Sequence, residues 1–174
     1  MKRILIFCFF FALTACTLPA VSDFPTSTPT APYTPCAYVE GRKDSPKLSA
    51  LLTEKLKAAG LPLEAVRAEA YGENCVTADY KVVSFSQREI DFYVTLHVKD
   101  LNDKNNLGNL LEKILISVDQ LPPDQMGPSP GYVGVKFQSG AQVDDLWFML
   151  AEADALLKKG TKGAALYAAL ATRP

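Results

Sequence analysis

The segment from Ile90 to Val98 constrains the fold most strongly, because its side chains alternate strictly in polarity. Successive side chains of a β-strand point to opposite faces of its sheet. The segment is therefore predicted to be a strand with one face against an apolar core and the other face turned away. The apolar set is Ile90, Phe92, Val94, Leu96 and Val98, and the positions between hold Asp91, Tyr93, Thr95 and His97.

Helices are predicted before and after this strand. The first begins at Ser45-Pro46, a serine suited to cap a helix and a proline suited to its first position, and ends at Gly60. The second begins within residues 100–103, carries an apolar stripe from Leu107 to Leu121, and ends at Pro122. Both stripes need an apolar surface to cover them, and one face of a sheet provides it.

Shorter patterns predict three more strands and a helical carboxyl-terminal region. A turn near Ala78-Asp79 joins the first two strands, and a turn at Ser139-Gly140 joins the last two. Each pair is therefore predicted to form an antiparallel hairpin. The additional elements are strands at 66–75, 131–138 and 146–150, a helix at 152–159, and a short terminal helix capped by Thr161.

These elements together predict a single α+β domain over residues 36–174. The predicted architecture has two layers, with an antiparallel four-stranded sheet and all helices on one of its faces. The predicted order is α-β-β-α-β-β-α, in which the carboxyl-terminal helical region counts once.

The amino terminus has the features of a secretion signal. Lys2 and Arg3 precede an unbroken apolar run from Ile4 to Leu13. This run is far shorter than the roughly 20 residues that a membrane-spanning helix needs. A positive start, a short apolar stretch and small residues after it are typical of a signal peptide.

The end of this segment, Leu13-Thr14-Ala15-Cys16, resembles the lipobox of bacterial lipoprotein precursors. The resemblance implies that residues 1–15 are a signal peptide and that Cys16 receives lipid, with acyl chains such as palmitate. It implies a lipid-anchored protein at the cell membrane or outer membrane, facing outside the cytoplasm. The absence of aspartate at Thr17 favours the outer membrane in bacteria that have one. A plain secretory signal or an uncleaved anchor is the alternative, although Leu13 suits the ordinary peptidase poorly.

Residues 16–35 comprise the lipidated cysteine and a stalk rich in proline and threonine. Proline removes backbone donors and favours extended, polyproline-like chain. An extended stretch of this kind could hold a domain well away from the lipid. The stalk is therefore predicted to be a spacer.

Two of the four cysteines remain for the folded domain. Cys8 leaves with the signal peptide and Cys16 carries lipid, so Cys36 and Cys75 are predicted to form one disulfide in an oxidising compartment. Two cysteines and the sole histidine, His97, are too few for a zinc site.

Composition and motifs exclude several function classes. A net charge of −1 leaves no basic footprint for nucleic acid. Residues 100–105 resemble a calcium loop only briefly, because Lys104 and Asn105 stand where a ligand and glycine are needed. Phosphate-binding glycine loops and nucleophile elbows are absent from the sequence. No cofactor is expected, and the chain is not expected to be an enzyme.

One set of residues remains as a candidate binding face. Strand alternation directs it away from the helices, and mixed aromatic and polar surfaces are enriched where proteins bind partners. An envelope protein or a glycan is the expected partner. Other parts of the chain or a second subunit could instead cover the face, and a register error could bury Trp147. The candidate binding face comprises Tyr71, Tyr93, His97, Tyr132 and Trp147.

These features together predict a lipid-anchored extracytoplasmic domain that binds or scaffolds a component of the bacterial envelope. The alternative is an envelope enzyme, or an inhibitor of one, whose site has no recognisable motif. A shallow aromatic face would favour binding, and carboxylates clustered in a deep cleft would favour the enzyme.

Lipidation of Cys16 is directly testable. The variant Cys16→Ala should accumulate as uncleaved precursor or be released from membranes, because it lacks the thiol that receives lipid. Mass spectrometry of the wild-type amino terminus should find an acylated Cys16. A mature terminus at any other residue would refute the lipobox interpretation.

Overall fold

Five strands form one mixed sheet in the order β1-β2-β3-β4-β5, and helices cover one of its faces. The computed structural model describes residues 35–129 and 131–172, so the predicted signal peptide, Cys16 and nearly all of the stalk lie outside the described residues. The strands are β1 (Ala37–Asp44), β2 (Leu63–Val76), β3 (Val82–His97), β4 (Tyr132–Ser139) and β5 (Gln142–Met149). The helices are α1 (Pro46–Ala58), α2 (Lys104–Asp119), α3 (Leu150–Lys158) and α4 (Gly163–Ala171).

The predicted α+β class is confirmed, and its core follows the alternation of β3. Phe92 and Leu96 are fully buried, and they share one apolar cluster with Leu111 and Ile114 from the stripe of α2. Complete burial of such a side chain contributes about 1.5–3 kcal/mol. The polar positions between them lie on the opposite face, and the helices of residues 35–129 and 131–172 pack on the apolar one.

The helix starts differ in how they are capped. Asp103 caps α2, because its side chain accepts a hydrogen bond from the backbone N–H of Asn106 at 3.0 Å. Ser45 does not cap α1 through its side chain. The start of α1 is instead tied to β2, where the backbone N–H of Ala68 donates to the hydroxyl of Ser49 at 2.8 Å.

The prediction of an entirely antiparallel sheet is wrong at the centre. β3 and β4 are parallel, with Phe92 opposite Val133 and Leu96 opposite Phe137. The two hairpins are each antiparallel. The helix α2, which joins them, carries the chain back along the sheet to the point where β4 begins to pair with β3. A crossover helix of this kind makes the next strand parallel to the last.

The prediction of four strands is also wrong, because β1 adds a fifth at the edge. It pairs antiparallel with β2 from Ala37 opposite Val76 to Asp44 opposite Glu69. Its sequence, AYVEGRKD, has no apolar alternation, and nearly all its side chains are exposed. Backbone hydrogen bonds therefore hold this strand, and its side-chain pattern gives no indication of it.

The carboxyl-terminal region forms two helices where the predicted order counted one. The last helix begins at Gly163, two residues after the predicted cap at Thr161. A Cβ built on Gly108 of α2 would lie 1.8 Å from the carbonyl oxygen of Gly163. Glycine at this position lets α4 approach α2 backbone to backbone. The observed order is β-α-β-β-α-β-β-α-α.

The predicted disulfide is present and fastens the beginning of β1. Cys36 is bonded to Cys75 of β2, with their Cα atoms 5.3 Å apart. The bond closes a loop with a sequence separation of 39. It thereby holds an edge strand that has little side-chain packing of its own.

Removal of this bond should destabilise the domain measurably. For a loop of this length, chain entropy predicts a loss of about 4 kcal/mol in the free energy of unfolding. Denaturant unfolding of Cys36→Ala combined with Cys75→Ala should show this loss. Reductant should lower the wild-type stability similarly and leave the double variant unchanged. Equal stability of variant and wild type would show that the bond contributes nothing.

Candidate functional site

Three adjacent strands, β3, β4 and β5, bring Tyr93, Gly134 and Trp147 into one row across the sheet. Tyr93 of β3 lies opposite Gly134 of β4, and Gly134 lies opposite Trp147 of β5. The chain neighbours of all three are buried among the helices. The row therefore lies on the face of the sheet opposite the described helices.

Gly134 makes room for the indole ring of Trp147. A Cβ at this position would lie 2.7 Å from Cε3 and 2.8 Å from Cζ3 of that ring. Real Cβ contacts are longer than this, so a larger residue would displace the indole. Sequence reasoning did not select Gly134, although a glycine inside an alternating strand indicates a close approach by another group.

The indole of Trp147 is held between two tyrosines. Its ring centroid lies 5.3 Å from that of Tyr132, with the planes 5° apart, and 5.3 Å from that of Tyr93, with the planes tilted by 32°. Each such pair contributes about 0.5–1.5 kcal/mol beyond its buried area. We call Tyr93, Tyr132 and Trp147 the aromatic cluster. Trp147 nevertheless retains 41% of its exposure.

Charged neighbours fix the orientation of Tyr93. The guanidinium of Arg67 lies 4.3 Å from the centre of the Tyr93 ring, and it pairs with Glu69 at 3.3 Å. The Tyr93 hydroxyl donates to the Oε2 atom of Glu69 at 3.4 Å. Burial, with added repulsion from Asp91 and Glu69, raises the pKa of Tyr93, which keeps the hydroxyl protonated as a donor. The cluster is therefore restrained before any ligand arrives.

A shallow groove of about 340 Å³ opens beside the aromatic cluster. Tyr93 and Trp147 line its apolar side, and Thr95, Lys136 and Asp145 contribute polar groups. Lys136 and Asp145 are cross-strand partners, yet neither is in an ion pair within residues 35–129 and 131–172. The groove thus offers an aromatic surface, a hydroxyl, a cation and an anion to one ligand.

Asp91 lies on the same sheet face but serves the backbone. It is only 5% exposed, and its Oδ1 atom accepts a hydrogen bond from the backbone N–H of Tyr132 at 3.0 Å. Burial raises the pKa of Asp91 above its usual value. Because Asp91 does not line the groove, its role is to hold the start of β4 against β3.

Tyr71 and His97 lie apart from the aromatic cluster. Tyr71 is four residues along β2 from the partner of Tyr93, and a hydrogen bond with Glu40 raises its pKa. His97 lies at the far end of β3, where its Nε2 atom is 3.3 Å from the Oε2 atom of Glu64. The structure therefore brings three of the five predicted binding-face residues together, namely Tyr93, Tyr132 and Trp147.

A second polar cluster lies on the helical side and joins three elements. Lys104 of α2 contacts Asp144 of β5 at 2.9 Å and the hydroxyl of Tyr167 of α4 at 3.0 Å. Although burial opposes it, hydrogen bonds from Tyr167 and Lys104 hold the pKa of Asp144 below its usual value. All three groups are satisfied by one another, so this cluster stabilises the packing of α4.

Comparisons with family models, curated proteins and solved structures found no match to this chain. Among the described residues, no helix is long and apolar enough to cross a membrane. The same residues contain no group of three or more histidine, cysteine, aspartate or glutamate side chains that could hold a metal ion. The geometry of the aromatic cluster therefore carries the functional argument.

The packing of the Trp147 indole against Gly134 is testable by fluorescence because the chain has one tryptophan. Gly134→Ala should displace the indole, increase quenching of its fluorescence by acrylamide, and cost about 1–3 kcal/mol in stability. Gln138→Ala, on the same face of the same strand, should change neither the quenching nor the stability. Unchanged quenching in Gly134→Ala would show that the indole does not rest there.

Proposed function

We propose that this protein is a lipid-anchored, extracytoplasmic binding protein of the bacterial envelope, and that the aromatic cluster with its groove is its ligand site. The observation that carries the proposal is the arrangement of Trp147. Its indole is restrained by Tyr132 and Tyr93 and seated on Gly134, but it still faces solvent. Large exposed aromatic side chains that are held rigidly are typical of binding sites.

The localisation in this proposal rests on the sequence of the amino terminus. The segment Leu13-Thr14-Ala15-Cys16 resembles a lipobox, and Lys2, Arg3 and the short apolar run resemble a signal peptide. The Cys36–Cys75 disulfide agrees with an oxidising compartment outside the cytoplasm. Lipid on Cys16 would then hold the domain at the cell membrane or outer membrane.

Among envelope ligands, the groove best suits a saccharide. One side of a pyranose ring presents C–H groups that can lie on the electron-rich face of an indole. Its hydroxyls both donate and accept hydrogen bonds, which matches the combination of Thr95, Lys136 and Asp145 along the polar side. A protein partner would cover a wider area than a groove of about 340 Å³. We therefore propose an envelope glycan as the ligand.

The alternative of an envelope enzyme would need acid and base groups that face each other across a bound substrate. Within the described groove, Asp145 is the one carboxylate, and it is exposed to solvent. The groove is shallow and not a deep cleft. These features favour binding as the function to test first.

The proposal predicts that Trp147→Ala weakens binding of the purified full-length lipoprotein to isolated envelope glycan by about tenfold or more, as loss of a central aromatic anchor does. Binding is measured by co-sedimentation with the insoluble glycan. Ile116→Ala is the matched control, because Ile116 is similarly exposed, at 46%, but lies on α2 away from the groove.

Denaturant unfolding of both variants separates loss of binding from loss of fold. Asp145→Asn should weaken glycan binding while leaving the fold intact, because it removes the groove's anionic acceptor. Retention of wild-type binding by Trp147→Ala would exclude the aromatic cluster as the site. Binding to envelope protein but not to glycan would keep the site and reject the saccharide.

A further inference from the structure

Exposed apolar side chains are concentrated at one end of the β2–β3 hairpin. Tyr80, in the turn between the strands, is 90% exposed. Contiguous apolar exposure in a protein marks a surface that meets a partner or a membrane. We call this end the arm tip, and its exposed apolar residues are Tyr38, Val39, Tyr80, Val82 and Val83.

The arm tip projects beyond the layer of helices. β4 pairs with β3 only from Phe92 onward, whereas the hairpin continues to Val76 opposite Val82. Tyr38 and Val39 are consecutive residues of β1, so they point to opposite faces of the sheet. The apolar side chains of the arm tip are therefore exposed on both faces and at the turn.

The chain enters the domain at this same end. Cys36 is bonded to Cys75, and Ala37 pairs with Val76, one residue before the turn. Residues 17–35 separate Cys16 from Cys36, and a fully extended chain of this length spans at most about 65 Å. The end of the domain nearest to the predicted lipid along the chain is thus the end with the exposed apolar side chains.

We propose that the arm tip docks on the bilayer that holds the lipid of Cys16, an inference that rests on the lipid anchor of the proposed function. A protein partner would cover one face of a strand, whereas the interfacial region of a bilayer surrounds an inserted turn. Tyrosine is enriched at membrane interfaces because its ring is apolar and its hydroxyl is polar. Lys81 and Asp79 pair at 2.7 Å, so the charges of the turn offset each other.

Fluorescence quenching by brominated lipids tests this docking. The acylated full-length chain carrying Trp147→Phe is reconstituted in vesicles of phosphatidylethanolamine and phosphatidylglycerol, with a single tryptophan introduced by Tyr80→Trp. Bromine on the acyl chains should remove most of its emission. The matched control is Val143→Trp, because Val143 is exposed and lies at the opposite end of the sheet, beside the turn between β4 and β5. Its emission should be retained.

A second set of variants ties the quenching to the apolar side chains. Val82→Ser together with Val83→Ser should reduce the quenching of Tyr80→Trp, while peptide mapping verifies that the Cys36–Cys75 bond is intact. Equal quenching at both tryptophan positions would overturn the proposal, because the tether alone would then account for it.

Two further outcomes would also overturn the docking. In chains whose Cys16 is shown to be acylated, an unquenched Tyr80→Trp that iodide reaches from the water would reject docking while leaving the anchor intact. An unquenched tryptophan that iodide cannot reach would mean that protein covers the arm tip. Absence of acyl groups from Cys16 would instead contradict the anchor itself.

Discussion

The passage of the chain along α2, between β3 and β4, determines the arrangement on which the candidate site depends. The apolar stripe of α2 packs against the sheet. Through this packing, α2 carries the chain back along the sheet to the point where β4 begins to pair with β3. β4 must then run parallel to β3, and the register that results sets Gly134 beside Tyr93. The tight turn that follows β4 brings Trp147 across from Gly134. The row of Tyr93, Gly134 and Trp147 is therefore a consequence of helix packing on the other face.

In a ligand site, restraint of the aromatic side chains matters for affinity as much as their exposure. A ligand that must order side chains on arrival loses about 0.5–1.5 kcal/mol for each one. Tyr132 and Tyr93 already hold the indole, while Arg67 and Glu69 hold Tyr93. Lys136 and Asp145 of the groove, by contrast, are exposed and in no ion pair among the described residues, so their side chains can adjust. A restrained apolar surface beside adjustable polar groups can accept related ligands that differ in the positions of their hydroxyls.

Periodicity explains which parts of this fold were predictable. Residues 90–97 of β3 and the helix α2 were predicted correctly because each buries one continuous side, which imposes a period of two or of 3.6 on the sequence. β1 was missed because its strand is held by backbone bonds and a disulfide, and neither leaves a side-chain pattern. The parallel pairing of β3 with β4 was also missed, since alternation identifies the face of a side chain but says nothing about the direction of the strand beside it.

The same limit separates the members of the predicted binding face. Alternation placed Tyr71, Tyr93 and His97 on one side of the sheet, but their positions along the strands keep them in different rows. Gly134 completes the site by having no side chain, so a search for functional groups passes over it. A glycine between two valines of a strand indicates that another group approaches the backbone closely, and here that group is the ring of Trp147.

The position of the disulfide has a mechanical consequence for any chain held by its amino terminus. A force applied to the chain at Ala37 would separate β1 from β2 by breaking their hydrogen bonds one after another. The bond instead transfers the load from Cys36 to Cys75, which lies between Tyr38 of β1 and Ser84 of β3. Two ladders of hydrogen bonds then share the force, and the edge strand β1 is relieved of it.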